Sequence, residues 1–271
     1  MENMPAFAAC VEEAFIRTDY IGRRIGALTN HDLRRGLELS QKIITAPILK
    51  VDELIGAFFA RGDVQIQEMR IVQALLYGEY NRFKQDAHEY VLNVFALEVG
   101  SLNSPLLRLS ILRLLLDKEN AATEELGAYI AFEELDHYFE SMGVTTRPTL
   151  AGVQELVAYR LIEPYEPTVN ETTPTTRLAV TSSGHMHFEM CFNDPVYVEQ
   201  MALTTPVRSG SLIQGMRAIV GNKMSLPEWT TLRRDFAKYC LAEDSQLMSC
   251  PTHHDYVSQV EMRRQFGRWV Q

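Results

Sequence analysis

Residues 161–181 read LIEPYEPTVNETTPTTRLAVT, and the fold turns on this stretch. Two strand-like runs, Leu161–Val169 and Arg177–Thr181, flank Asn170-Glu171-Thr172-Thr173-Pro174, which is turn chemistry at hairpin spacing. Working outward on the N-terminal side, Thr149–Arg160 reads as a helix and Phe132–Ser141 as another, closed by Gly143. Before them, Tyr129-Ile130-Ala131 is a short β-like piece, and Ser104-Pro105 opens a strong helix, Leu106–Leu116. On the C-terminal side a helix begins at Ser182 or Ser183 and continues to about Phe192.

Helix, short strand, helix, helix, hairpin and helix follow one another in the order of a winged helix, with the hairpin as the wing. The chain before it reads as nearly all helix. From Phe7 to Leu28 apolar residues recur at three and four (Phe7, Val11, Phe15, Ile21, Ile25, Leu28), with a break expected near Gly22. Thr29-Asn30-His31-Asp32 supplies cap chemistry for a helix Leu33–Thr45, stopped by Pro47. Helices Val51–Ala60, with Asp52 and Glu53 in its first turn and Gly62-Asp63 after it, and Gln67–Tyr77 follow, and Gly78–Ala96 is less regular. Beyond Ser209 the sequence predicts two or three helices. One starts at the capping box Ser225-Leu226-Pro227-Glu228 and carries Leu232, Phe236, Tyr239 and Cys240 on one face; the last covers Tyr256–Gln271. The expected protein is therefore mainly α, with a helical domain over 1–103, a winged helix over 104–208 and a C-terminal helical appendage over 209–271.

Of the 271 residues 46% are hydrophobic and 23% charged, which excludes disordered and collagen-like chains. The net charge of −9 is unevenly spread: 13 basic and 14 acidic residues fall in 1–116, 5 and 15 in 117–208, and 8 and 6 in 209–271. The excess acid lies in the one region whose fold commonly binds DNA. Apolar runs such as Leu109–Leu116 are interrupted by Arg or Ser and fall short of the roughly 20 residues of a membrane span, so no membrane segment is expected. The N-terminus carries Glu2, Glu12 and Glu13 without the pattern of a secretory signal. Cys10, Cys191, Cys240 and Cys250 read as reduced thiols of a cytoplasmic protein.

Four stretches carry a resemblance. TNHDLRRGLEL at Thr29–Leu39 is similar to a motif of the form (S/T)-G-G-(N/D)-x-R-R-A-L-x-L, with Gly36 where Ala is usual. ALLYGEY at Ala74–Tyr80, SPLLRLSILRLL at Ser104–Leu115 and RLAVTSSGHMHFEMCFNDPVYVEQMALTTPV at Arg177–Val207 follow in matching order. Together they resemble the C-terminal lid plus winged helix of bacterial AAA+ or STAND-type P-loop ATPases of the origin-recognition type, over Leu28–Val207. The resemblance implies a sensor-2-like role for Arg34, and next Arg35, in reaching the γ-phosphate of ATP bound in an ATPase core. No G-x-x-x-x-G-K-[ST] occurs in the chain, so ATP and Mg²⁺ are expected only with an upstream nucleotide-binding core. The chain then reads as the C-terminal part of a larger ATPase, or a relative that lost its motor, and as non-catalytic.

If the winged helix bound DNA, Thr149–Arg160 would be its recognition helix, offering Gln154 and Glu155 with Arg147 and Arg160 at its ends. The wing carries Glu171 and no cation before Arg177, so few phosphates would be neutralised. Docking on a protein partner, or on the chain's own ATPase core, fits this acidic surface better. The rival reading is a winged-helix DNA-binding regulator using Arg23, Arg24, Arg34, Arg35, Arg263 and Arg264. Glu133, Asp136 and Glu140 share one stripe and read as a solvated face. His185 and His187, at i and i+2, point apart on a helix, and Cys240, Cys250, His253 and His254 match no standard zinc spacing, so no metal is expected. The tail (Arg263, Arg264, Arg268, Phe266, Trp269) is expected to pack its aromatics on the neighbouring lid-like helices or on a partner.

Overall fold

The computed structural model describes residues 5, 8, 12, 19–61, 67–96, 102–166, 171–220, 225–251 and 253–271. Phe7, Val11, Phe15, Cys10, the Gly62-Asp63 stop and residues 167–170, the end of the expected strand and the first residue of the expected turn, lie outside them. Mainly helical, the chain forms two compact units, 1–92 and 93–271, and residues 209–271 fold within the second.

In the first unit α1 (Asp19–Leu28), α2 (Leu33–Thr45), α3 (Val51–Arg61) and α4 (Glu68–Tyr77) bury Ile21, Ile25, Leu39, Ile43, Ile71 and Leu75. The 29–32 turn is local chemistry. The Thr29 hydroxyl donates to the Ile25 carbonyl at 2.7 Å, Asn30 and His31 take φ of 51° and 58°, and the Asp32 carboxylate accepts the Arg35 amide at 3.1 Å as the cap of α2. The expected break at Gly22 is absent. Gly22 sits on the exposed side of α1, where a glycine costs only about 1 kcal/mol relative to alanine and does not stop a helix held by its apolar face.

The second unit is built around α5 (Leu107–Ala121), whose residues from Leu107 to Leu112 are buried on every side. Its last turns, Asp117–Ala121, lie beyond the apolar pattern and are supported by an Arg113–Asp117 pair at 2.8 Å. After α5 come β1 (Ile130–Ala131), α6 (Phe132–Glu140), α7 (Thr146–Ala158), β2 (Ile162–Pro164), β3 (Arg177–Val180), α8 (Ser182–Asn193) and α9 (Pro195–Thr204). The strands form an antiparallel sheet in the order β1-β3-β2, with Ile130 opposite Leu178 and Ile162 opposite Val180. β2 is shorter than the expected Leu161–Val169 run, although the Tyr165 amide still donates to the Arg177 carbonyl at 2.9 Å, and 167–169 lie outside the described residues. Three further helices, α10 (Gly210–Val220), α11 (Leu226–Leu247) and α12 (Val257–Phe266), complete the unit. α12 packs on α5 and α11 on α9, while Phe95 meets Phe236 and Phe266 with ring centroids 5.5 and 5.4 Å apart. Glu228 closes the expected capping box on the Ser225 amide at 2.6 Å. No helix among the described residues is long and apolar enough to cross a membrane.

One glycine fixes how α8 meets the sheet. A Cβ on Gly184 would lie 2.2 Å from the Leu161 carbonyl oxygen and 2.7 Å from Val180 Cγ2, so the first turn of α8 seats directly on the backbone entering β2. Gly184→Ala should lower the stability of the second unit by about 2–3 kcal/mol, read as a fall in the urea midpoint at unchanged m-value.

Candidate functional site

The helix singled out as the recognition element begins earlier than the sequence suggested. α7 starts at Thr146, since Pro148 is tolerated in a first turn, and ends at Ala158. Its inner face is Thr149, Gly152, Val153 and Leu156, all buried. Its outer stripe at i, i+4, i+7 and i+11 is Arg147, Ala151, Gln154 and Ala158, all exposed. Of the three candidates on this element, Arg147 and Gln154 therefore share one face and Arg160 serves the chain's path. Arg160 takes φ of 59° directly after the helix. Its amide donates to the Val157 carbonyl at 2.9 Å and the Leu161 amide to Leu156 at 2.8 Å, so Arg160 holds the left-handed position of a Schellman cap that glycine usually fills. Its carbonyl accepts the Thr181 hydroxyl at 2.7 Å, joining the end of α7 to the start of α8.

Glu155 is turned inward. Its carboxylate pairs with Arg108 of α5, a side chain only 9% exposed whose Nη1 also donates to the Asn93 carbonyl at 3.2 Å. A buried guanidinium with a charged partner locks the rotation of α7 about its axis and so decides which residues form its outer stripe. Sequence reading missed this pair because Arg108 sits inside an apolar run, where nothing marks a cation as internal.

Beside the hairpin, the carbonyls of Pro174 and Thr176 accept the Glu133 and Phe132 amides at 2.9 Å each, which satisfies the first turn of α6. A shallow cleft of about 420 Å³ lies here, lined by Leu126, Tyr165, Glu166, Thr175 and Arg177, with Tyr129 and Tyr165 edge to face at 5.1 Å. One cation and one acid at its rim give no grip on a phosphate run.

In the first unit Arg34 and Arg35 part company. Arg34 is 89% exposed and pairs with Glu38 at 3.1 Å. Arg35 lays its guanidinium over the Tyr90 ring, 4.9 Å from the centroid, and its Nη1 is buried without an acceptor among the described residues. Lys42 also approaches Tyr90 and pairs with Glu89 at 2.5 Å. A cleft of about 230 Å³ next to them is lined by Lys42, Tyr80, Lys84, His88 and Tyr90. His88 is a fastening of this wall: one ring nitrogen lies 2.8 Å from the Leu75 carbonyl and the other accepts the Val91 amide at 2.9 Å. Burial lowers its pKa to about 4, so the ring is neutral at pH 7.

The remaining candidates resolve individually. Glu133 and Glu140 are exposed and Asp136 is half-buried, with one of its oxygens sheltered and lacking a hydrogen-bond partner among the described residues, so the acidic stripe is solvated at its two ends and partly covered between them. His185 pairs with Glu119 at 2.6 Å on the surface, whereas His187 is buried 2.7 Å from the Ser183 carbonyl. Cys191 and Cys240 are fully buried, which pushes both thiols well above their ordinary pKa and makes them inert. The tail departs from expectation at Arg263. Its guanidinium is 14% exposed and clamps the buried Asp244 at 2.6 and 3.2 Å, so it is an internal ion pair. Trp269 packs within the second unit itself rather than on lid-like helices or a partner: its indole donates to the Cys191 carbonyl at 2.8 Å and lies under Arg233. Arg24, another of the arginines considered for DNA, is buried. In comparisons with known proteins, no family model matches the chain, and no curated protein or solved structure matches it.

The His88 fastening has a pH signature. Between its ordinary pKa near 6.5 and about 4 the unfolded chain binds the proton and the folded one does not. Folding stability contributed by His88 is thus complete above pH 6.5 and is lost as pH falls toward 4. From pH 7 to 5 the wild type should lose about 2 kcal/mol through this group, and His88→Asn should flatten that part of the stability–pH curve in urea unfolding.

Proposed function

We propose that the chain is the non-catalytic regulatory and interaction region of a STAND or AAA+-type ATPase, with lid-like helices in its first unit and a winged helix over 104–208 that docks on protein. The order α5-β1-α6-α7-β2-β3-α8 with a β1-β3-β2 sheet supports the winged-helix reading, since this is the sequence of elements that the fold requires. The observation that carries the docking role is the outer stripe of α7. Arg147, Ala151, Gln154 and Ala158 offer one cation and two methyl-sized side chains, with Glu155 turned away and 15 acidic residues against 5 basic ones over 117–208. A smooth, nearly neutral helix face on an acidic body suits close approach by another protein and gains little from a phosphate backbone. With Arg24 buried and Arg263 committed to Asp244, the alternative DNA-binding route also loses two of its cations.

In this reading Arg34 is the residue offered to a phosphate, because it is exposed near the start of α2, and Arg35 supports the Tyr90 wall instead. ATP and Mg²⁺ belong to a nucleotide-binding core with which the lid-like helices would work, and this chain's contribution is the guanidinium.

Titration of the chain against fluorescent duplex DNA at about 50 and 200 mM salt tests the docking reading. We expect only weak binding, with a slope of log K against log salt no steeper than about −3. A photocrosslinking residue at position 151 should give discrete protein adducts in cells, and one at the exposed Lys238 should not. Sub-micromolar DNA binding with a slope of about −6 or steeper would overturn it.

A further inference from the structure

The turn between α11 and α12 gathers three metal-ligating side chains that no expected site includes. His253, His254 and Asp255 each present a ligand atom, and these atoms all lie within 4.8 Å of one another. The carboxylate stands between the two rings: its Oδ2 is 2.9 Å from His253 Nδ1 and its Oδ1 is 2.8 Å from His254 Nε2. The ring centroids are 4.1 Å apart. Consecutive residues in a strand or a helix point their side chains apart, and convergence here follows from the backbone. His253 is extended, with φ −68° and ψ 151°, and the next three residues form a single 3-10 turn that swings His254 and Asp255 back beside it.

The turn is also held in place. Tyr256 stacks on Tyr138 of α6 with centroids 4.8 Å apart, its hydroxyl meets the Ser141 hydroxyl at 2.5 Å, and the Tyr138 hydroxyl donates to the Asp255 carbonyl at 3.3 Å. These contacts fix the backbone that presents the ligands and leave the ligands in solvent, at 59%, 79% and 57% exposure for His253, His254 and Asp255. The two cysteines once grouped with these histidines do not join them. Cys240 is buried in the core, and among the described residues the cluster contains no sulfur.

We propose that His253, His254 and Asp255 form a binding site for a first-row divalent transition metal of the zinc class. Two imidazoles and a carboxylate match Zn²⁺, Co²⁺ or Ni²⁺ and are a poor set for Mg²⁺ or Ca²⁺, which take oxygen donors. Neighbouring ligand atoms around a four-coordinate ion with bonds of about 2.0–2.2 Å stand roughly 3.3–3.6 Å apart, so the hydrogen-bonded pairs at 2.9 and 2.8 Å need open by less than about 1 Å to admit one. Three protein donors leave the remaining positions to water. A bound ion would replace the hydrogen bonds Asp255 now makes and clamp the turn that leads into α12.

The test is calorimetric titration of the full, tag-free chain with ZnCl2, repeated with NiCl2 and with MgCl2. We expect one Zn²⁺ per chain with micromolar affinity, Ni²⁺ binding at the same site, no Mg²⁺ binding, and a weakening of about tenfold or more in His253→Ala, His254→Ala and Asp255→Asn. All three side chains are exposed, and circular dichroism of each variant should match the wild type. His185→Ala, at an exposed histidine elsewhere on the unit, should leave the Zn²⁺ isotherm unchanged. Absence of one-to-one binding in the wild type, or binding unaffected by His253→Ala and His254→Ala, would overturn the assignment.

Discussion

A buried ion pair, Asp244 with Arg263, holds the second unit together. Asp244 is 2% exposed, and its carboxylate takes two bonds from Arg263 and one from the Ser104 hydroxyl at 2.5 Å. Arg263 reaches on to the Ser110 hydroxyl at 3.3 Å and the Gln259 carbonyl at 3.0 Å, and the Gln259 amide donates to the Ser110 carbonyl at 2.9 Å. Two charges taken out of water are tolerated only when their remaining donors and acceptors are satisfied, and here three stretches far apart in sequence supply the partners. The start of α5, the end of α11 and the middle of α12 must all be in register for the network to close.

That constraint reaches the outer surface through α5. The same helix that accepts Gln259 and Arg263 on one side sends Arg108 to Glu155 on the other, and that pair sets the rotation of α7. The composition of the α7 stripe is thus a consequence of the interior: with Glu155 drawn inward, the outward positions fall to Arg147, Ala151, Gln154 and Ala158. Gly184 and the Arg160 cap fix the C-terminal end of the same helix by joining it to β2 and α8.

Much of the fold was legible in the sequence wherever a local rule sufficed. The cap at Asp32, the Pro47 stop, the Ser225 capping box and the Leu232–Phe236–Cys240 face follow from residue type and spacing, and the structure has each of them. Boundaries slipped where polar residues continue a helix, as at Asp117–Ala121, or where proline enters a first turn, as at Pro148. Long-range charge pairing was not legible. Arg263 looked like a member of a basic tail because nothing in RRQFGRW indicates that Asp244, 19 residues earlier, is buried beside it. The same blindness hid Arg108–Glu155 and left Asp255 out of the histidine cluster, where the deciding feature is a backbone turn.

The direct test is the equilibrium unfolding of Asp244→Asn, with hydrogen exchange followed along the chain. A near-isosteric change that leaves Arg263 buried without its counter-charge should cost about 3–5 kcal/mol and accelerate amide exchange together in α5, α11 and α12. A loss below about 1 kcal/mol, with faster exchange confined to the end of α11, would contradict the view that this pair holds the unit in register.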